Sequence, residues 1–388
     1  MQLEKKKIYY WSPFLTNIAT CKAVINSAYS IKKFFNNYEP TIIDAAGEFE
    51  SKKKEIYDKK ISIVRLFFFN YIYLLPKFGR IKSRVSFIII FILSFIPLKN
   101  ILKRNKPEFL IIHLITSLPL VLFYIYNFKA TKLIMRISGY PKMSKIRIFF
   151  WRLFSKNIFI VTCPTEATYR YLLKLNIIDS KKLKILYDPI ICVNETSKKI
   201  REKPNEKTRN IINDTYLLAV GRLTKQKNFI FLINNFLSIY NSSPNIKLLI
   251  LGNGEQHDFL NQKIIDFNLS DKIILLGNVE NIFPYLRNAQ CFFLTSLWED
   301  PGFVILEAAF ARTFIISSNC KNGPEEIVEK NRAGLLFTKN DSKSFVQAYD
   351  YFLKLSNLDK LKYQKNALLA CKNFTIYNHA KNLKKILL

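Results

Sequence analysis

Trp298-Glu299-Asp300-Pro301-Gly302-Phe303-Val304-Ile305-Leu306-Glu307 follows a strand-like run, Gln290-Cys291-Phe292-Phe293-Leu294-Thr295, and leads into an apolar helical pattern, Ala308-Ala309-Phe310. Glu299 therefore falls in the loop leaving a strand, and Glu307 a turn or so into the next helix. In open α/β sheets, ligands bind in the crevice at the carboxyl ends of the strands. A carboxylate in such a loop accepts hydrogen bonds from sugar hydroxyls, and a second one along the helix can hold the two hydroxyls of a ribose. Gly302 lets the backbone approach a ligand closely, and free amides at a helix start favour phosphate.

Working outward, Leu217-Leu218-Ala219-Val220-Gly221-Arg222-Leu223-Thr224-Lys225-Gln226-Lys227-Asn228 is an apolar strand running into Gly221, two spaced cations and a helix start. Arg offers a planar fork that matches phosphate and Lys a point charge, so Arg222 and Lys227 can clamp a diphosphate. The pattern then repeats. Ile246 to Gly252 is a strand followed by Asn253-Gly254, Lys272 to Asn278 is another, and Phe314 to Ser318 precedes Gly323-Pro324-Glu325-Glu326-Ile327. Short apolar runs alternating with helical periods imply βαβ units and a parallel sheet.

The motifs Gly-Arg-Leu-x-x-x-Lys at 221–227, Leu-Gly-Asn-Gly at 251–254, the Glu299…Glu307 pair and Gly-Pro-Glu-Glu-Ile at 323–327 occur in this order. Together they resemble the donor-binding domain of retaining glycosyltransferases of family 4 (glycosyltransferase group 1), of the kind that build bacterial surface polysaccharide and lipopolysaccharide. The resemblance is strong over 215–340 and loose over the first half. It implies an α/β chain with the GT-B fold, two Rossmann-like domains facing a central cleft. It also implies roles. Gly221, Arg222 and Lys227 would hold the donor diphosphate, with Asn278 also at the donor site, and Glu307 would hold the ribose. Glu299 would touch the transferred sugar, and the amides of Gly302, Phe303 and Val304 would face sugar and phosphates. The fold family needs no bound metal, and no Asp-x-Asp occurs in the chain. The expected donor is a nucleotide-diphosphate sugar, with no further cofactor. One departure is that Asp300-Pro301 separate the first Glu from its glycine, where many members place Gly directly after it.

A chain of 388 residues with 49% hydrophobic residues can fill two α/β cores. The formal charge of +31 favours polyanionic partners. No zinc-finger, aromatic-glycine or helix-turn-helix reader accompanies it, so nucleic acid is not the expected partner. Cys21, Cys163, Cys192, Cys291, Cys320 and Cys371 are scattered singly with no Cys-x-x-Cys pair, which argues against a zinc or redox motif and for buried thiols in a reducing cytosol. The amino terminus is charged with only a brief apolar run, unlike a signal peptide.

The first half starts as a βαβ unit. Lys7 to Trp11 and Thr41 to Ala46 are strands around a helix containing Ala23, Val24, Ala28 and Ile31. Phe109 to Ile112 is a strand ending at His113, which family position makes a candidate to touch the donor sugar or the acceptor. Leu133 to Ile137 brings Arg136 and Gly139 to a strand end as further candidates, and Ile158 to Thr162 closes the set. Between them, 66–106 carries apolar runs at 66–75 and 85–98 with basic flanks. The second run spans about 14 residues, short of the ~20 that cross a bilayer, and fits either monotopic attachment to an anionic leaflet, the favoured reading, or a buried core helix. The domains are accordingly set at 1–195, a linker at 196–212, 213–370, and a C-terminal helix at 371–388 that crosses back to the first domain.

The sequence thus points to sugar transfer, with retention, from a nucleotide-diphosphate sugar to a lipid-linked or lipopolysaccharide-like acceptor. The work would be done at the cytoplasmic face of a bacterial inner membrane, by a peripheral or monotopic protein. The rivals are a nucleotide-sugar 2-epimerase of the same fold, which usually needs paired carboxylates and more histidines than His113 in the first domain, and a non-catalytic basic binding protein, which leaves the ordered motifs unexplained.

Overall fold

Strands buried on both faces of a parallel sheet read as continuous apolar runs, because helices cover each side. In the computed structural model, which describes residues 5–15, 19–76, 80–141, 143–204, 214–243, 245–329 and 332–388, such runs form two sheets. The chain divides into two units, Met1–Ile190 with Thr375–Leu388, and Ile191–Phe374.

The first unit carries β1 (Lys6–Trp11), β2 (Tyr38–Asp44), β3 (Ser62–Arg65), β4 (Phe109–Ile112), β5 (Lys132–Arg136), β6 (Ile160–Cys163) and β7 (Leu183–Ile185). All pairs are parallel, in the order β3-β2-β1-β4-β5-β6-β7. Alternate residues face opposite ways, as strand geometry requires. Trp11, Leu110, Ile112, Leu133 and Met135 share one core with residues of helices Arg80–Asn105, Ser117–Ile125, Lys145–Ser155 and Glu166–Leu175. Ile8, Tyr10, Ile42, Ile111 and Ile134 share the other with helices Ala19–Phe34 and Ile376–Leu387.

The second unit carries β8 (Tyr216–Val220), β9 (Lys247–Leu251), β10 (Ile273–Gly277), β11 (Phe292–Leu294), β12 (Ile315–Ser318) and β13 (Leu335–Phe337). They are parallel in the order β10-β9-β8-β11-β12-β13. In both sheets the strand order reverses direction beside the first strand, β1/β4 in one and β8/β11 in the other. That is the topological switch point at which loops diverge and leave a crevice.

Three features differ from the sequence expectation. Strands β3, β7 and β13 were not anticipated. The apolar run 85–98 is part of one continuous helix of 26 residues, Arg80–Asn105, which takes in its basic flanks and contains Pro97. The start of the expected 196–212 linker is helical: helix Val193–Arg201 belongs to the second unit and meets helix Phe283–Asn288 there, with the Asn281 side chain donating to the Lys199 carbonyl at 2.8 Å. Residues 205–212 of that stretch lie outside the described residues.

Candidate functional site

In the second unit the loops at the carboxyl ends of β8 and β9 touch through glycines. The Gly221 amide donates to the Leu251 carbonyl at 2.9 Å, and the Leu223 amide to the Asn253 carbonyl at 3.0 Å. A Cβ on Gly252 would sit 1.9 Å from the Gly221 oxygen, and one on Gly254 would sit 2.4 Å from the Leu223 oxygen. Gly252 also has φ +131°, a region that side chains rarely enter. The two glycines therefore hold the 221–224 turn in place. Arg222 rides on that turn, exposed and without an ion-pair partner among the described residues.

Lys227 comes next on the same loop, its stem 3.1 Å from where a Gly221 Cβ would lie. Its ammonium meets Glu299 Oε1 at 2.5 Å, with side chains only 14% and 4% exposed. Ser296 Oγ donates to the same oxygen at 2.5 Å. Lys227 keeps two further N–H donors, and Glu299 Oε2 accepts no hydrogen bond among the described residues. The 295–298 turn is knitted to the 226–228 turn by Thr295 Oγ1, which donates to the Lys227 and Asn228 carbonyls, by the Leu297 amide to the Gln226 carbonyl, and by Gln226 Nε2 to the Trp298 carbonyl. Residues that the sequence separates by 72 positions thus form one polar patch at the β8/β11 switch point.

Past Glu299 the Asp300-Pro301 peptide is cis, and Gly302, at φ +87°, turns the chain into helix Phe303–Phe310. The loop after β12 braces this turn. Asn322 Nδ2 donates to Asp300 Oδ1 at 2.5 Å, and a Gly323 Cβ would overlap the Pro301 oxygen. On the helix, Val304, Ile305, Leu306, Ala308 and Ala309 are buried, whereas Phe303 and Glu307 are half-buried, one turn apart on the remaining face. Asn278 is exposed at the end of β10, whose Gly277 carbonyl accepts from the Gly252 amide at 2.7 Å.

The first unit has its own polar cluster at its switch point. His113 follows β4 and Ser12 follows β1. Both are buried, and neither ring nitrogen of His113 nor the Ser12 hydroxyl has a hydrogen-bond partner among the described residues. Burial, reinforced by the Arg136 charge, holds the imidazole well below its usual pKa, so it is neutral. Arg136 is fastened on both sides of its fork to Asp188, with Nε to Oδ1 at 2.8 Å, and it also donates to Ser138 Oγ at 2.9 Å. Ser138 donates to the His113 carbonyl at 2.9 Å, and Gly139 follows with φ +83°.

Among the predicted residues, Gly221, Lys227, Glu299 and Gly302 come together directly. Arg222, Phe303, Val304 and Glu307 lie on the same loops, Asn278 sits on a neighbouring strand end, and His113 and Arg136 sit in the other unit's cluster. Sequence reasoning missed Ser296, Asn322, Asp188 and His379. His379, on the C-terminal helix, joins the first unit, so His113 is not the sole histidine there. Its Nδ1 lies 2.7 Å from the Tyr187 carbonyl and its Nε2 2.8 Å from Ser27 Oγ. A carbonyl only accepts, so Nδ1 carries the proton and Ser27 donates to Nε2.

The Glycosyl transferases group 1 model matches residues 199–369. An uncharacterized glycosyltransferase of Methanocaldococcus jannaschii is 32% identical over 246 residues, 59% of this chain and 60% of that protein. The N-acetylgalactosamine-N,N'-diacetylbacillosaminyl-diphospho-undecaprenol 4-alpha-N-acetylgalactosaminyltransferase of Campylobacter jejuni is 29% identical over 211 residues, 54% of this chain and 55% of that protein. These matches thus span little more than half the length of the curated relatives. Solved structures share the architecture: a glycosyltransferase from Rickettsia africae superposes with a TM-score of 0.76 over 99% of this chain and 98% of its own, at 16% identity. HepE of Anabaena, determined with UDP, superposes with a TM-score of 0.73 over 98% of this chain and 99% of its own, at 15% identity.

Proposed function

With residues 199–369 a member of the glycosyl transferases group 1 family, in a chain with the GT-B fold, we propose that this protein transfers a sugar, with retention, from a nucleotide-diphosphate sugar to a lipid-linked or lipopolysaccharide-like acceptor. The observation that carries this reading is the Lys227–Glu299 pair at the β8/β11 switch point, with the exposed Arg222 beside it. Two cations and an acceptor oxygen on adjoining loops suit a diphosphate joined to a sugar.

In this reading Arg222 and the spare N–H groups of Lys227 bind the diphosphate, and the amides of 302–304 at the helix start add donors. Breaking the sugar–phosphate bond places charge on the departing diphosphate, where these preplaced cations stabilise it, usually the largest single contribution to catalysis. Glu307 takes the ribose hydroxyls. Glu299 Oε2 accepts from a hydroxyl of the transferred sugar, while Oε1 keeps Lys227 in place. The acceptor hydroxyl attacks the face the diphosphate leaves and gives its proton to the departing phosphate oxygen. No cofactor besides the donor is involved, and no metal takes part. Neutral His113, with both ring nitrogens unpaired, serves as a hydrogen-bonding group for donor sugar or acceptor.

The Campylobacter jejuni relative is named for a diphospho-undecaprenol acceptor, which supports a lipid-linked saccharide as acceptor here and a role in cell-surface glycan synthesis. The protein would then work at the cytoplasmic face of a bacterial inner membrane, attached to an anionic surface through 66–106. The test is binding of a panel of UDP-, GDP- and ADP-sugars to the purified protein, followed by transfer to a lipid-linked saccharide. One donor should bind and lose its affinity in Glu307→Ala. Transfer that is unchanged in both Arg222→Ala and Glu307→Ala overturns the reading.

A further inference from the structure

Helices Arg80–Asn105, Ser117–Ile125 and Lys145–Ser155 lie side by side on one face of the first unit's sheet. Their inner residues, Leu98, Leu102, Leu118, Leu122 and Phe154, share one core. Their outer residues are apolar as well. Ile88, Ile92 and Ile96 recur every four residues along the first helix, at 58%, 64% and 61% exposure. Ile146, Phe149 and Phe150 form an equivalent stripe on the third, at 71%, 63% and 45%. Tyr124 and Ile125 are exposed at the end of the helix between them. On the opposite face of the same sheet, helix Ala19–Phe34 exposes only Lys22 and Lys33 among its described side chains. Beside it, helix Ile376–Leu387 exposes Tyr377 with Lys381 and Lys385, so this face carries no apolar stripe like those of the first and third helices.

The stretch of sequence that builds the three-helix side is equally lopsided in charge. From 66 to 157 the chain holds sixteen Lys and Arg and a single acid, Glu108, which is paired with Lys6 at 3.0 Å. One of the sixteen, Arg136, is buried and paired with Asp188. On the third helix Lys145, Arg147 and Arg152 are exposed among the apolar stripe. A nucleic acid would meet those cations but leave the isoleucines and phenylalanines in water. An anionic lipid leaflet accepts both, headgroups taking the cations and acyl chains the apolar stripe.

Helix Arg80–Asn105 is long enough to cross a bilayer, at about 39 Å for its 26 residues. Its inner side is committed elsewhere. Ile90, Leu98 and Leu102 are in the sheet's core, Asn105 donates to the Tyr9 hydroxyl at 2.8 Å, and the chain then enters β4, the central strand. A helix so tied lies along the sheet.

We propose that the three-helix layer is a single docking face for an anionic bilayer, lying flat on it, and that helix Lys145–Ser155 is a second inserting element equal in role to Arg80–Asn105. This rests on the membrane attachment proposed above and extends it to a segment outside 66–106.

The test is flotation of the purified full chain with phosphatidylcholine vesicles, with and without roughly 30% phosphatidylglycerol. The chain should bind the anionic vesicles at least about tenfold more strongly than the neutral ones. Phe149→Ser with Phe150→Ser, and separately Ile88→Ser with Ile92→Ser, should each weaken binding about tenfold or more while the circular dichroism spectrum and melting temperature stay as in the parent. If the first pair binds like the parent and the second does not, the role given to Lys145–Ser155 is wrong and attachment through 66–106 stands. If the parent binds neither vesicle, both fail. Should the Phe149/Phe150 variant misfold, Arg147→Gln with Arg152→Gln reads the same helix, and unchanged binding by that variant also overturns its role.

Discussion

Lys227 and Glu299, 72 positions apart, close an ion pair of 2.5 Å in which both side chains are almost withdrawn from water. Removing one partner of such a pair leaves the other charged and desolvated, a cost of about 3 kcal/mol or more. Lys227→Ala should therefore lower the melting temperature as well as the activity. Arg222 is exposed and unpaired among the described residues, so Arg222→Ala should leave the melting temperature unchanged while kcat/KM drops roughly 100-fold. Calorimetry and initial rates on the two variants separate the roles. Equal melting losses in both would contradict this arrangement.

Glu307 sits on the half-buried face of helix Phe303–Phe310, away from the core contacts of Ile305 and Leu306. Glu307→Ala should weaken binding of the donor nucleotide about 10- to 100-fold, the share of charge-assisted hydrogen bonds to two hydroxyls. Titration calorimetry against the cognate nucleotide measures it, and an affinity within about twofold of the parent would rule out ribose binding by this residue.

A methyl group on Gly252 has no room, because the Gly221 oxygen lies 1.9 Å from its position and φ is +131°. Gly252→Ala should destabilise the second unit by about 3 kcal/mol or more, through strain and displacement of the 221–224 turn. Urea unfolding followed alongside donor binding should show both losses together. A fully stable Gly252→Ala protein that still binds donor would show that the two turns need not touch.

His379 gives a pH signature. Burial lowers its pKa from 6.5 to about 4, so the folded protein keeps it neutral while the unfolded chain protonates it near 6.5. Between those values the unfolded state binds more protons, and stability falls as pH drops from about 6.5 to 4. The share at stake is about 3 kcal/mol. His113, also held low by burial, acts in the same sense. The isolating measurement is the difference between parent and His379→Gln, which should shrink as pH falls through this window. A constant difference from pH 7 to pH 4 would mean that His379 takes up its proton as readily in the folded protein as in the unfolded chain.

The strands anticipated from sequence are those with continuous apolar runs, such as Leu217–Val220 and Phe109–Ile112. The missed strands, β3, β7 and β13, are all at sheet edges. An edge strand has a partner on one side only and carries less burial. Ser62–Arg65 has no fully buried residue, and Leu183–Ile185 and Leu335–Phe337 have three residues each. Nothing in such short runs stands out from a loop. The candidate site divides the same way. Gly221, Lys227, Glu299 and Gly302 were legible because each marks a strand end or helix start at a fixed spacing. Asp188 and His379 were not, because their importance lies in partners brought from elsewhere: Arg136 on β5, 52 positions away, and Ser27 on a helix 352 positions away. Ser296 sits only three positions before Glu299, and a lone serine in a loop carries no mark of the bond it makes there.

The grouping of Thr375–Leu388 with the amino-terminal unit orders events during synthesis. Leu383 and Leu387 complete the core under helix Ala19–Phe34, and His379 receives the Ser27 hydroxyl. Those partners are made early, but their cover emerges only after the whole of Ile191–Phe374 has left the ribosome. The carboxyl-terminal unit can finish folding first, while the amino-terminal one waits with Val24, Ile25 and Ile31 uncovered. A nascent chain stalled before residue 375 should therefore be a chaperone client through its first half, and one that has passed residue 388 should be released.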